Sequence, residues 1–177
     1  DWEKQSELHF YNLEGKSFAK SFQIEIDYQF SENINFKSAY KNYDVKKQYN
    51  SGLKQNPLTP KNRFFFNFDF STNLNDKGSS WKYDFTYNWV GKQRLPLHTS
   101  LSFLNGYSPS YSLINTQLTR VFSKKLEIYI GGENIGNYTQ ENPILGSSNP
   151  YGLDFDSSII YAPIHGSLVY LGIRFKL

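Results

Sequence analysis

Cysteine is absent from the 177 residues of this chain, so disulfide bridges and thiolate metal sites are excluded. Long apolar runs are absent too, since no stretch approaches the roughly 18 consecutive apolar residues that a membrane-spanning helix needs. Charge of one sign is in little excess, because 19 Lys and Arg stand against 16 Asp and Glu. The net charge of +3 is far below the basic excess typical of nucleic-acid-binding proteins. These absences argue against a helical membrane protein, a disulfide scaffold and a partner made of nucleic acid.

Aromatic residues, in contrast, are abundant. They make up 18% of the chain although its mean hydropathy is only −0.59. A soluble protein of such polarity rarely carries so many aromatic side chains. A transmembrane β-barrel combines both properties, because only alternate residues meet lipid and aromatic girdles line both interfaces.

The dominant sequence period is two, which is the period of a β-strand. Between Phe18 and Phe30 the even positions are mostly large and apolar, whereas the odd positions are small or polar. The same separation recurs in three later segments, 63–70, 81–89 and 169–177. Three further segments are less regular, 34–49, 111–122 and 126–135. Near Asn42–Tyr43 the apolar parity switches, which predicts a bulge or an exit from the membrane.

The connections between these segments alternate in length. Three are short and polar: Ser31–Asn33, Ser71–Ser80 and Ser123–Lys125. Three are long: Asn50–Asn62, Lys92–Ser110 and Gly136–His165. Outer-membrane barrels have short periplasmic turns and long extracellular loops, and every connection here fits that rule when counted back from Leu177. The pattern predicts seven membrane-crossing strands, with Ser6–Leu13 as an eighth strand or a hairpin arm above the membrane.

We therefore predict an all-β fold, an antiparallel transmembrane β-barrel in the outer membrane of a Gram-negative cell. A soluble β-sandwich or a lipocalin-like barrel is the alternative for any alternating sequence. The long segments, of about 10–13 residues where strands usually have about five or six, favour the membrane barrel.

Several runs of residues resemble the late barrel of TonB-dependent outer-membrane receptors. They are Phe10–Ser17, Pro60–Phe64, Trp89–Pro96, the Gly131–Ile135 run Gly-Gly-Glu-Asn-Ile, and the tail from Tyr161-Ala162-Pro163 to Gly172–Leu177. The resemblance implies that residues 1–177 are the last seven to eight strands of a barrel of about 22 strands, without its plug and N-terminal strands. One departure is the final Leu177, since many outer-membrane barrels end in Phe.

The resemblance also implies a function and partners. The function is energised uptake of a scarce nutrient such as a siderophore, glycan, peptide or vitamin, with this chain forming barrel wall and extracellular loops. The partners are the rest of the barrel and the plug, in the same or a separate chain, together with lipid and lipopolysaccharide. An energising inner-membrane complex would act only through the missing N-terminal part, and a surface lipoprotein is a further candidate partner.

No catalytic, cofactor or metal site is predicted, and the chain is not expected to be an enzyme. Its three histidines, His9, His98 and His165, are scattered over different connections. Asp154 and Asp156 have calcium-ligand chemistry, but two solvated loop carboxylates explain them better. Asp84 and Glu133 could face a lumen without a placed catalytic partner. The Gly131-Gly132 pair lacks the context of a phosphate loop and predicts instead a bend or the close approach of a neighbouring backbone.

The long connections carry aromatic and amide side chains of the kind that bind sugars or flat chelators. These are Tyr107, Tyr111, Tyr138, Gln140, Asn142, Asn149 and Tyr151. Packing between loops and contact with lipopolysaccharide explain them equally well, so the ligand-binding residues stay unknown. Two other functions remain as alternatives, a self-contained eight-stranded barrel with an anchoring or adhesion role and a membrane-embedded hydrolase.

Overall fold

The computed structural model describes Asn12 and residues 14–49, 51–96 and 104–176. Within these residues the chain forms one antiparallel sheet of eight strands and no α-helix, which confirms the predicted all-β fold. The strands are β1 (Phe18–Ser31), β2 (Ile34–Tyr49), β3 (Gly52–Gln55), β4 (Asn62–Ser71), β5 (Ser80–Val90), β6 (Tyr111–Val121), β7 (Leu126–Glu133) and β8 (Leu168–Phe175). No helical segment of these residues is long and apolar enough to cross a membrane.

Seven of the strands lie side by side in chain order, from β1 through β2, β4, β5, β6 and β7 to β8. The short strand β3 lies off this path and pairs only with the far end of β2. In the described part of the chain β1 and β8 are the two edges of the sheet, and they do not pair with each other.

The predicted alternation of short and long connections is present. The 72–79 connection is shaped by Asn75, whose side-chain oxygen accepts the backbone N–H groups of Lys77 and Ser79 at 3.0 and 2.9 Å. Such side-chain bonds to a neighbouring backbone stabilise tight turns. Because successive side-by-side strands are antiparallel, the short connections lie at one end of the sheet and the long ones lie at the other.

The parity switch near Asn42–Tyr43, predicted as a bulge or an exit from the membrane, coincides with a change of neighbouring strand and not with a bulge. The pairing of β2 with β1 is regular through this point, and its register shifts only between Gln29 and Ser31, beside the first turn. The β2–β4 pairing, however, ends at Asn42 opposite Asn62, and from Lys46 onward β2 pairs with β3 instead. The connection predicted as Asn50–Asn62 therefore contains a strand. Ser6–Leu13 lies outside the described residues except for Asn12.

The buried apolar residues of the described chain lie mostly in the long connections, not between the strands. They form one cluster of five residues: Leu95, Leu145, Ile159, Tyr161 and Ala162. The large apolar side chains of the strands are half-exposed or exposed. A sheet with an exposed apolar face and a core in its loops is the opposite of a soluble sandwich, where alternate side chains meet in a core between sheets.

Candidate functional site

One face of the sheet carries large apolar side chains on each of the seven side-by-side strands. Direct cross-strand pairing joins Ile24 to Tyr40, Tyr40 to Phe64 and Phe64 to Trp89. Two residues along, a parallel row begins at Ile26 and passes through Ser38 and Phe66 to Tyr87. The predicted outward residues lie on this face and none is buried: Phe22, Ile24, Phe66, Phe68, Phe85, Leu171 and Ile173. Their exposure reaches 72% at Leu171, so nothing in the described chain covers this surface.

Aromatic rings interlock along the middle strands of this face. Phe36 lies 5.3 Å from Phe68 and 6.1 Å from Phe66, centroid to centroid. Phe68 meets Tyr83 edge-on at 6.3 Å. Tilted and edge-on pairs of this kind contribute about 0.5–1.5 kcal/mol each beyond area burial. These ring pairs therefore add to the backbone hydrogen bonds that join the middle strands.

Charged side chains on the apolar face occur only near the strand ends in the described residues. At the long-connection end the Lys20 ammonium lies 5.2 Å from the Phe18 ring centroid. At the short-connection end the Arg120 guanidinium lies 4.9 Å from the Trp81 ring and 5.6 Å from the Phe122 ring. Long cationic side chains beside aromatic rings are typical of the boundary between an apolar and an aqueous layer.

The opposite face carries polar side chains and includes Asp84, as predicted. Asp69 and Asp84 are direct cross-strand partners, an arrangement that repulsion between like charges disfavours. The Asn67 amide reduces this cost by donating to Asp84 Oδ2 at 2.9 Å, and it also reaches Thr86 Oγ1 at 3.1 Å. Asp69 and Asp84 line an open hollow of about 280 Å³ with Lys82, Gln117 and Thr119. Such a hollow suits water or a polar segment.

Two tyrosine rings lie over glycines on the same polar face. Tyr129 is directly opposite Gly172, and Tyr170 is directly opposite Gly131. A Cβ atom at Gly172 would lie 2.2 Å from Cζ of Tyr129, and one at Gly131 would lie 2.4 Å from Cζ of Tyr170. The Tyr170 hydroxyl donates to Gln117 Oε1 at 3.1 Å, which links β8 to β6 across β7. Gly131 thus makes room for a side-chain ring, whereas the sequence predicted a bend or the close approach of a neighbouring backbone for the Gly131-Gly132 pair.

The loop cluster is organised by amides from two connections. Gln140 donates to the Ile159 carbonyl at 2.8 Å and accepts the backbone N–H groups of Tyr161 at 2.8 Å and Ala162 at 3.2 Å. Gln93, from the preceding long connection, donates to the Tyr161 carbonyl at 2.9 Å. Burial raises the pKa of the Tyr161 hydroxyl above its usual value, and the nearby Tyr138 and Glu141 add to the shift. The connections therefore form a packed cap.

Asn134, in the Gly131–Ile135 run, joins β7 to this cap. Its amide donates to the Tyr138 carbonyl at 2.8 Å and to the His165 carbonyl at 3.3 Å, while its side-chain oxygen accepts the Tyr138 N–H at 3.0 Å. Asn134 has a φ of 49°, a left-handed conformation that Asn tolerates better than most residues. The resemblance singled out this run, and the hydrogen bonds of Asn134 show that it organises the loop.

The loop residues considered for ligand binding divide into two groups. Gln140 is a structural amide, and Tyr111 and Tyr138 stack on each other at 5.1 Å with an interplanar angle of 9°. Four others are exposed: Tyr107, Asn142, Asn149 and Tyr151. The structure does not bring these four together into one pocket, so the group as a whole is not a site.

The remaining candidates have no shared site. Asp156 uses its carboxylate locally, since Oδ1 accepts the Ser158 N–H and hydroxyl at 2.7 Å each. Glu133 and His165 are exposed, and no group of three or more metal-ligating side chains occurs in the described residues. His9 and His98 lie outside those residues.

Replacing Gln140 with Leu is expected to loosen the cap without disturbing the sheet. The change removes three hydrogen bonds and leaves the buried Tyr161 N–H without its acceptor, which costs about 1–3 kcal/mol for each buried group left unsatisfied. Limited proteolysis should therefore cleave the 134–167 connection faster than in the wild type. Gln117→Leu, which alters the sheet face instead, is the control. Equal cleavage of the Gln140 variant and the wild type would contradict this role.

A scan against known protein families and a search of curated proteins both found no match for this chain.

Proposed function

We propose that this chain forms part of the wall of an outer-membrane β-barrel, the C-terminal part of a receptor of the TonB-dependent kind that takes up a scarce nutrient. The observation that carries the proposal is the apolar face, which has large apolar side chains on all seven side-by-side strands and stays exposed while the opposite face is polar. Lipid would cover the first face, and water or a plug would meet the second.

The ends of the strands support the same orientation. The cations beside Phe18 and Trp81 bracket the apolar face, as expected where a membrane meets water. The long connections pack into a cap at one end and the short ones end as tight turns at the other. Under this proposal the cap is extracellular and the tight turns are periplasmic.

Two of the runs that resemble receptors lie where a strand meets a long connection. Pro60–Phe64 leads into β4, and Gly131–Ile135 ends β7 and enters the cap. Both of these runs lie at the junction of a strand with a long connection. Barrel wall and ligand vestibule would therefore meet at these junctions, and the nutrient would be recognised on the cap side.

Cysteine labelling on intact cells tests the proposed topology. Cysteines replacing Ser51 and Ser147, both exposed on the cap side, should react with a membrane-impermeant maleimide. A cysteine replacing Asp76, in the 72–79 turn, should react only after the outer membrane is permeabilised. Asp76 is preferable to Asn75, because the Asn75 side chain shapes the turn. If only Asp76→Cys is labelled on intact cells, the protein has the opposite orientation. If neither side is labelled in the membrane fraction, the proposal is refuted.

A further inference from the structure

A second feature of the cap end is a cavity of about 470 Å³ beside the β2–β3 hairpin. Among the described residues its lining includes the cationic side chains of Lys46, Lys54, Lys61 and Arg94 and the carboxylate of Asp44. The volume lies within the range of about 300–1,000 Å³ that is usual for small-ligand sites. Positive charge concentrated in a concave surface attracts anions and raises their local concentration.

Arg94 is held rigidly in this wall. It is buried, with 6% of its surface exposed, and its Nε–H donates to the Gln55 carbonyl. Its guanidinium stacks over the Tyr49 ring at 4.9 Å from the centroid. A guanidinium fixed in this way loses little side-chain freedom when an oxyanion arrives, which favours binding.

Two other wall residues carry polar atoms that lack a partner. The side-chain nitrogen of Gln55 and the Oδ1 atom of Asp44 are buried and make no hydrogen bond within the described residues. The first is a donor and the second an acceptor, so together they match a ligand with hydroxyl groups. Asp44 Oδ2 lies 3.7 Å from the Lys46 ammonium, which leaves Oδ1 for a hydroxyl donor.

The cavity also has apolar and aromatic walls. Tyr107 and Leu53 line it, and each keeps 45% of its surface exposed. An exposed aromatic ring beside polar groups offers a stacking face for the C–H surface of a sugar ring.

We propose that this cavity binds an anionic sugar, a polyhydroxylated ring bearing phosphate or carboxylate groups. Lys46, Lys61 and Arg94 would neutralise the anionic groups, Gln55 and Asp44 would bind hydroxyls, and Tyr107 would stack on the ring. Two sources share this chemistry, a soluble sugar phosphate and the phosphorylated sugar headgroup of lipid A. The inference deepens the proposed function, since it rests on that function for the extracellular position of the cavity, but the binding chemistry is independent of the membrane.

Binding assays on the detergent-purified protein, together with any chain that co-purifies with it, test the proposal. Fructose bisphosphate and its uncharged counterpart fructose are the soluble probes, and diphosphoryl and dephosphorylated lipid A in micelles are the lipid probes. We expect one of the two phosphorylated probes to bind at least tenfold more tightly than its uncharged counterpart. The probe that does so identifies the source.

The double variant Lys46→Gln/Lys61→Gln should weaken that binding by roughly fivefold for each cation removed, and added salt should weaken it in the wild type. These two residues are preferable to Arg94, whose packing also supports the cap. Lys124→Gln/Lys125→Gln removes the same charge at the opposite end of the sheet and should bind like the wild type.

Two results would overturn the proposal. One is equal binding of the charged and uncharged probes, and the other is wild-type affinity in the Lys46/Lys61 variant. Neither result bears on the labelling pattern of Ser51, Ser147 and Asp76, so failure of the sugar site is distinguishable from failure of the proposed topology.

Discussion

Replacing Ile24 with Arg is expected to destabilise the membrane-inserted protein by about 2–4 kcal/mol, the usual cost of a cation on the lipid face near the bilayer midplane. Ile24 lies within the apolar stretch of β1, has 51% of its surface exposed, and is paired with Tyr40. In water the same substitution would replace an exposed apolar side chain with a charged one and would cost little stability. The large penalty therefore depends on lipid, and it should appear as a lower urea midpoint for unfolding from lipid vesicles.

The matched control is Gln23→Arg, one residue away on the same strand. Gln23 lies on the polar face, where its amide donates to the Glu25 carboxylate and its cross-strand partner is Lys41. An Arg at this position would be attracted by the Glu25 carboxylate and repelled by the Lys41 ammonium. These two effects oppose each other, and each is worth about 0.2–1 kcal/mol. Equal losses at Ile24 and Gln23 would show that the two faces of β1 do not meet different media.

The strand pattern could be predicted because its physical cause is local. Side chains alternate between two faces of any strand, so Phe64, Phe66, Phe68 and Phe70 indicated one apolar face without any knowledge of their neighbours. The register could not be predicted in this way. That Asp69 lies opposite Asp84, or Tyr129 opposite Gly172, depends on pairings between distant segments. Strand β3 was missed because Gly52–Gln55 is short and follows the change of parity in β2.

The cap was predicted only as a set of long connections whose aromatic and amide side chains either pack between loops or bind a ligand. Its amide bonds join Gln93 to Tyr161 and Gln140 to Ile159, and no local sequence rule indicates partners so far apart. The cationic cavity was missed for the same reason. Lys46, Lys61 and Arg94 stand in three separate segments, and the pairing of β2 with β4 and of β4 with β5 brings these segments to one hollow. A count of the cations flanking these connections would have been the available signal.

The edges of the sheet lead to the second large prediction, that residues 1–177 alone do not form a stable monomeric barrel. In an antiparallel sheet neighbouring strands alternate in direction, so the first and seventh of the side-by-side strands, β1 and β8, run the same way. Direct closure would need a parallel pair, although all other pairs are antiparallel and bacterial single-chain barrels have even strand numbers. Left open, each edge would expose unpaired N–H and C=O groups to hydrocarbon at several kcal/mol per group. We expect β1 and β8 to pair instead with strands of a larger barrel.

Refolding the chain into detergent and testing for a heat-modifiable, protease-resistant monomer decides between the two cases. A barrel wall that lacks its neighbours should give no such species, whereas the chain isolated from membranes should co-purify with the remaining strands. A resistant monomer would support the eight-stranded alternative, in which Ser6–Leu13 supplies the missing strand between β8 and β1. That case has its own control, because deleting residues 1–13 should then abolish the resistant monomer. Resistance that survives the deletion would mean that seven strands close with a parallel pair, and it would refute both the larger barrel and the eight-stranded one.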